Sequence, residues 1–157
     1  MDGSRVRRVM KDFERVLVPT DFSDAAEQAW TTATRLACAL GAELLLLHVF
    51  VETPLFSETP FSARNVRDVY EAQRAWVEKE LEQWAIHARE AGARARTLLR
   101  TGAPHHEILA AVDDQRADLI VMGTHGRGGV ERALLGSVAD RVVRLARCPV
   151  LSVRARP

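Results

Sequence analysis

The 157-residue chain holds only two cysteines, Cys38 and Cys148, far apart and in no CxxC pair. That argues against a disulfide framework or a zinc site and suits a reducing cytoplasm. Neither sign of charge predominates, since 22 basic and 21 acidic residues leave a net charge of +1. A dedicated nucleic-acid binder would show a basic excess or stripe, so no nucleic-acid partner is expected. Long apolar runs are also missing. The fullest, Leu44-Leu45-Leu46-Leu47 and residues 119–122, fall far short of the roughly 20 residues of a membrane-spanning helix. Residues 1–14 carry Arg5, Arg7, Arg8 and Lys11 but no apolar core of a signal peptide. Residues 1–13 are therefore expected to form a flexible basic tail ahead of one domain over 14–157. Two nucleotide signatures are absent: no G-x4-G-K-[ST], and no G-x-G-x-x-G after the first strand. Their absence weighs against P-loop NTPases and ordinary NAD-dependent dehydrogenases. Nor is there a G-x-S-x-G nucleophile elbow, and Cys38 falls within a helical stripe, where it is expected to pack as a small apolar residue.

What is present belongs to a globular domain. The chain is 47% hydrophobic and 27% charged, and a domain of this length buries roughly 68–70% of its unfolded surface without covalent staples. Residues 15–19 form a short apolar run ending at Pro19-Thr20-Asp21, a strand and its turn. Ala26, Ala29, Trp30, Ala33, Leu36, Ala37 and Leu40 then recur at three- and four-residue spacing, which predicts an amphipathic helix. Ser23 or Asp24 can cap it, and Gly41 stands where a left-handed terminator belongs. Residues 43–50 are apolar on both faces of the pleat, the mark of a strand covered by helices on both sides. A Pro-containing loop over 51–61 precedes a long charged helix over about 62–91. An edge strand over 94–100, a short helix opened by Pro104 and an apolar strand over 117–122 follow. A glycine-rich loop, a helix over about 137–146 and a final strand over 150–153 close the chain. This alternation predicts one doubly wound, five-stranded parallel α/β sheet with helices on both faces.

In such a sheet, ligands bind beyond the carboxyl ends of the strands where their order reverses. Pro19-Thr20-Asp21 follows the first strand and Gly123-Thr124-His125-Gly126 the fourth. If those strands are neighbours, both loops face one crevice. Gly123 and Gly126 are followed, after nine intervening residues, by Gly136-Ser137, giving G-x2-G-x9-G-S. Glycines let backbone N–H groups approach an anion, and a helix start at Gly136-Ser137 favours phosphate. The plainer reading is a turn with Ser137 as an N-cap. Asp21 has two readings, ligand contact or a cap on turn amides. His125 can neutralise phosphate charge or point to solvent, while Arg127 and Arg132 are phosphate clamps or surface residues. His48, inside an apolar strand, is expected to be a hydrogen-bonded core histidine. His105 and His106 read as a wet helix start, and Trp30, Trp76 and Trp84 as packing or interface groups.

Taken together, residues 16–23, Leu46-Leu47-His48-Val49, the G-x2-G-x9-G-S stretch through Val138 and residues 148–153 resemble the universal stress protein family, over about residues 13–154. The glycine spacing with Ser137 is similar to its ATP-binding branch. The resemblance implies a Rossmann-like fold of the adenine nucleotide alpha hydrolase type and an ATP-binding stress-response module with at most slow ATP hydrolysis. It further implies that Pro19, Thr20 and Asp21 lie against the nucleoside and that Val49 and Met122 contact the adenine. Gly123, His125 and Gly126 would line the phosphate side, with Gly136, Ser137 and Val138 closing over it. Mg²⁺ or Mn²⁺ is expected to bridge the phosphates. A homodimer is expected through the terminal strand, residues 149–154, whose edge needs covering. A cytoplasmic location, no membrane association and a protein partner of unspecified kind complete the expectation. Two alternatives stand beside it: an ATP-pyrophosphatase or nucleotidyl-transfer enzyme on the same fold, and a nucleotide-free interaction scaffold. The former class carries S-G-G-x-D-S after the first strand, where this chain has Pro19-Thr20-Asp21-Phe22-Ser23-Asp24.

Overall fold

The protein, as a computed structural model, is described over residues 13–51, 63–125 and 135–155. Its strands are β1 (Arg15–Pro19), β2 (Glu43–Phe50), β3 (Arg94–Thr101), β4 (Leu119–Gly123) and β5 (Val150–Val153). Its helices are α1 (Asp24–Leu40), α2 (Ala63–Glu90), α3 (Pro104–Gln115) and α4 (Ser137–Leu145). Every strand pairing is parallel, in the order β3-β2-β1-β4-β5. The doubly wound five-stranded sheet is thus observed, with its order reversing between β1 and β4, which pair through Val16↔Leu119 and Leu17↔Ile120.

The run Leu44–Leu47 lacks polar alternation because each face of the sheet has its own core. Val16, Val18, Leu44, Leu46 and Val121 pack toward α1 and α2 with Ala29, Ala33, Val77 and Leu81. Leu17, Leu45, Leu47, Ile120 and Met122 pack toward α3 and α4 with Ile108, Ala111 and Val142. Strand residues point alternately to opposite faces, so a fully covered strand must be apolar throughout. Phe13 packs at the margin of the first core, so a residue expected in the tail already contacts the fold.

The predicted helix signals of α1 are present. Ser23 Oγ accepts the Ala26 N–H at 3.3 Å, and Gly41, at φ 70°, ends the helix in the left-handed conformation that glycine adopts without a Cβ clash. Two details of its stripe differ from expectation. Thr34 takes a core position, while Trp30, Leu36 and Leu40 are only partly buried. Cys38 does not pack inside. It is exposed, with its Sγ 3.3 Å from the Ala91 carbonyl, because one residue past buried Ala37 a helix has turned about 100° away from the sheet. The apolar segment at 117 becomes strand only at Leu119. Asp118 instead anchors the sheet's entrance, its carboxylate accepting the Glu14 N–H at 2.7 Å and the Arg15 N–H at 3.1 Å.

Burial pushes the Cys148 thiol above its ordinary range, and the Asp118 and Asp113 carboxylates push it further. Cys38 is accordingly expected to react first with a disulfide reagent at about pH 8, where a thiol of raised pKa stays protonated; equal rates measured on Cys38→Ser and Cys148→Ser chains would contradict this. Leu46→Ala should cost about 2–5 kcal/mol, read as a lower urea midpoint at unchanged slope.

Candidate functional site

The adjacency of β1 and β4 puts the starts of their carboxyl-end loops side by side where the strand order reverses, the place at which a doubly wound sheet offers a crevice. Backbone hydrogen bonds tie the loops to neighbouring strands. The Thr20 N–H donates to Leu47 O at 2.8 Å, the Thr124 N–H to Val153 O at 2.9 Å, and the Gly136 N–H to Thr124 O at 2.7 Å. The last bond seats the start of α4 against the end of β4, so Gly136 lies beside the residue that follows Gly123.

On the β1 side the chain turns at Thr20-Asp21-Phe22-Ser23. Thr20 is buried, its Oγ1 accepting the Phe22 N–H at 2.9 Å, and Asp21 Oδ1 accepts the Ser23 N–H at 3.0 Å. Asp21 is half-buried and serves as a turn acceptor, the second of its two sequence readings. Phe22 sits at φ 61°, a left-handed conformation costing an L-residue roughly 1–2 kcal/mol. Apolar side chains follow on the α3/α4 face. Met122 is buried in that core and Val49 packs against it, with half-buried Pro19 at the same strand parity as Leu17.

On the β4 side Gly123 is set by contact. A Cβ there would lie 2.8 Å from the Ala25 carbonyl carbon and 2.9 Å from its Cβ, so the first turn of α1 can touch the strand only at a glycine. Thr124 is buried, and its Oγ1 lies 3.0 Å from His125 Nδ1. Gly136, not Ser137, is the N-cap of α4, at φ −69° and ψ 164° with no side-chain cap. The first-turn amides of Ser137, Val138 and Ala139 therefore lack helical acceptors and carry the positive end of the helix dipole. Ser137 is exposed and Val138 half-buried. Gly126, Arg127 and Arg132 lie outside the described residues. His48 is hydrogen-bonded as expected, its Nδ1 2.8 Å from the Thr20 carbonyl, but it is half-buried and stands outside both cores. Among the described residues no group of three or more His, Cys, Asp or Glu could hold a metal.

Thr124, as the junction of β4, β5 and α4, and Ala25, as the neighbour that requires Gly123, were not foreseen. Both depend on backbone contacts that leave no compositional trace. The left-handed Phe22 likewise has no signal, since phenylalanine is a poor choice for that conformation.

The sequence profile described as "Universal stress protein family" matches residues 12–154. The chain belongs to the universal stress protein family. Among curated members it is 34% identical to universal stress protein MJ0531 of Methanocaldococcus jannaschii over 157 residues, covering 97% of this chain and 88% of that one. Among solved structures it superposes on universal stress protein UspA from Lactobacillus plantarum with a TM-score of 0.80 at 29% identity, covering 90% of this chain and 98% of that one. A universal stress protein crystallised in complex with cAMP gives a TM-score of 0.69 at 26% identity, covering 92% and 98%. In this universal stress protein, Gly123→Ala is expected to lose about 1–3 kcal/mol by overpacking, because the obstacle is Ala25 backbone and not a flexible side chain. A chemical-denaturation midpoint equal to that of the parent would show that α1 can retreat.

Proposed function

We propose that this universal stress protein binds an adenine nucleotide, ATP foremost, in the β1/β4 crevice, as a dimeric stress-response module that turns ATP over slowly if at all. The observation carrying the reading is the 2.7 Å bond from Gly136 N–H to Thr124 O, which sets a helix N-terminus at the end of β4, the strand that pairs with β1. The cAMP complex of a solved relative supports the ligand class. Pro19, Val49 and Met122 would offer an apolar surface to the base, and Thr20 and Asp21 would meet the ribose side. Gly123, His125, Gly126, Gly136, Ser137 and Val138 would surround the phosphates with amides, an imidazole and a hydroxyl. A divalent Mg²⁺ or Mn²⁺ fits as an ion carried by phosphate oxygens and water, with Asp21 the protein carboxylate at the crevice, since such ions commonly use one or two carboxylates plus substrate phosphates. When bound, it would neutralise phosphate charge.

The edge position of β5 supports the dimer. Leu151 is 39% exposed there, and pairing β5 with its counterpart in a second copy would satisfy both edges under two-fold symmetry. No helix among the described residues is long and apolar enough to cross a membrane; two cysteines with no disulfide between them suit the reducing cytoplasm proposed. The scaffold alternative draws on Gly123, whose missing side chain is already required by Ala25.

Isothermal titration with ATP, ADP, AMP and GTP, with and without Mg²⁺, should give micromolar ATP binding, and Gly126→Val combined with Ser137→Ala should abolish it. Unchanged affinity in that double variant would refute the site. Sedimentation should find a dimer that Leu151→Asp converts to monomer; a monomeric parent chain at micromolar concentration would remove the β5 interface.

A further inference from the structure

We propose that His48 is the positioning residue of the crevice, setting the Asp21 turn through its Nδ1–H bond to the Thr20 carbonyl and its stack on Phe22. The proposal rests on the nucleotide reading above and assigns to β2 a part in it.

Thr20 is held almost entirely from β2 and from its own turn. Its N–H donates to Leu47 O at 2.8 Å, its carbonyl faces His48 Nδ1 at 2.8 Å, and its hydroxyl accepts the Phe22 N–H at 2.9 Å. A carbonyl oxygen only accepts, so Nδ1 carries the proton in the neutral and the cationic ring alike. The next residue is Asp21, and after it Phe22 adopts φ 61°. Bulky residues keep that conformation only where their surroundings over-determine it. Those surroundings are aromatic. The Phe22 ring stacks on His48 with centroids 5.2 Å apart and planes 27° apart. It meets Trp76 and Trp84 edge-on at 5.4 Å and 5.5 Å. The imidazole also meets Phe50, edge-on at 5.1 Å.

One imidazole therefore fixes both flanks of Asp21, the residue before it by a hydrogen bond and the residue after it by a ring stack. A purely apolar side chain in an otherwise apolar strand would fill the volume but supply no donor. Thr20 O would then lose its partner and the left-handed turn one of its restraints. The carboxylate between them would sample other directions, and the crevice would have to order it on binding.

The discriminating pair is His48→Leu and His48→Asn in the full chain. Leucine keeps bulk without a donor, whereas the asparagine amide places an N–H near the Nδ1 position. Amide hydrogen exchange is read in the nucleotide-free protein at Phe22 and Ser23, the two N–H groups bonded inside the turn. AMP affinity is read by titration calorimetry. In His48→Leu both amides should exchange about tenfold faster and AMP should bind about tenfold more weakly, the scale of one lost hydrogen bond. Core amides such as Leu46 and Val121 should be unaffected. His48→Asn should recover both readouts to within about threefold. Should His48→Leu not fold, His48→Gln replaces it, since its amide reaches toward the Nε2 position and misses the Thr20 carbonyl.

Parent-like exchange and affinity in His48→Leu, equal loss of protection in the core, or an asparagine variant no better than leucine would each overturn the proposal. A parent chain that takes up no adenine nucleotide would overturn the functional reading alone, because exchange at Phe22 and Ser23 still decides whether His48 orders the turn.

Discussion

The contact between Gly123 and Ala25 sets the geometry on which the crevice depends. With a Cβ only 2.8 Å from main-chain carbon, any other residue at 123 would push α1 away from the end of β4. The first turn of α1 follows directly from the Asp21 turn, so its seating fixes how far the β1 loop stands from the β4 loop. A glycine whose motif spacing suggests an anion cradle is thus first a packing residue. Its proposed place beside phosphate follows from the closeness it allows between two elements.

The two ends of the sheet are built by different forces. At the amino end, Arg15 and Arg96 flank Glu43 at 3.6 Å and 3.0 Å, and Arg96 also reaches Gln115 Oε1 at 2.8 Å. These groups are partly exposed, and surface ion pairs contribute about 0–1 kcal/mol each; together they orient strand entrances without creating a site. At the carboxyl end main-chain bonds tie the loops to their neighbours, Thr20 to Leu47, Thr124 to Val153 and Gly136 to Thr124, while side chains close the Thr20–Ser23 turn. Using the backbone to tie the loops to the strands leaves the first-turn amides of α4 without helical acceptors and the Ser137 side chain exposed. That division is expected of doubly wound sheets, where ligands meet strand ends at the reversal of order.

The long helix α2 adds a second theme. Its apolar side, through Val77, Leu81, Ala85 and Ala88, closes one core, yet Trp76 remains 47% exposed. Trp76 touches Phe22, which stacks on His48, so the outer surface of the helix is joined by rings to the residue following Asp21. Edge-to-face and stacked pairs add about 0.5–1.5 kcal/mol beyond burial, enough to favour one arrangement of the turn.

Most of the fold was legible in the sequence because it follows from periodicity. The unalternating Leu44–Leu47 announced a strand covered on both faces, the three- and four-residue spacing from Ala26 to Ala37 announced α1, and the order of elements announced a parallel sheet. Ser23 and Gly41 marked the helix ends through local chemistry that needs no distant neighbour. The crevice was legible only as two loops that would face each other if β1 and β4 paired. That pairing, the exposed position of Cys38, the left-handed Phe22 and the demand that Ala25 places on Gly123 belong to tertiary structure. They depend on which groups lie a few ångströms apart after long stretches of intervening chain, and such distances have no period to read. The sequence by itself determined which segments would be strands and helices and which residues carried polar chemistry; only the packed sheet decided which of those residues meet.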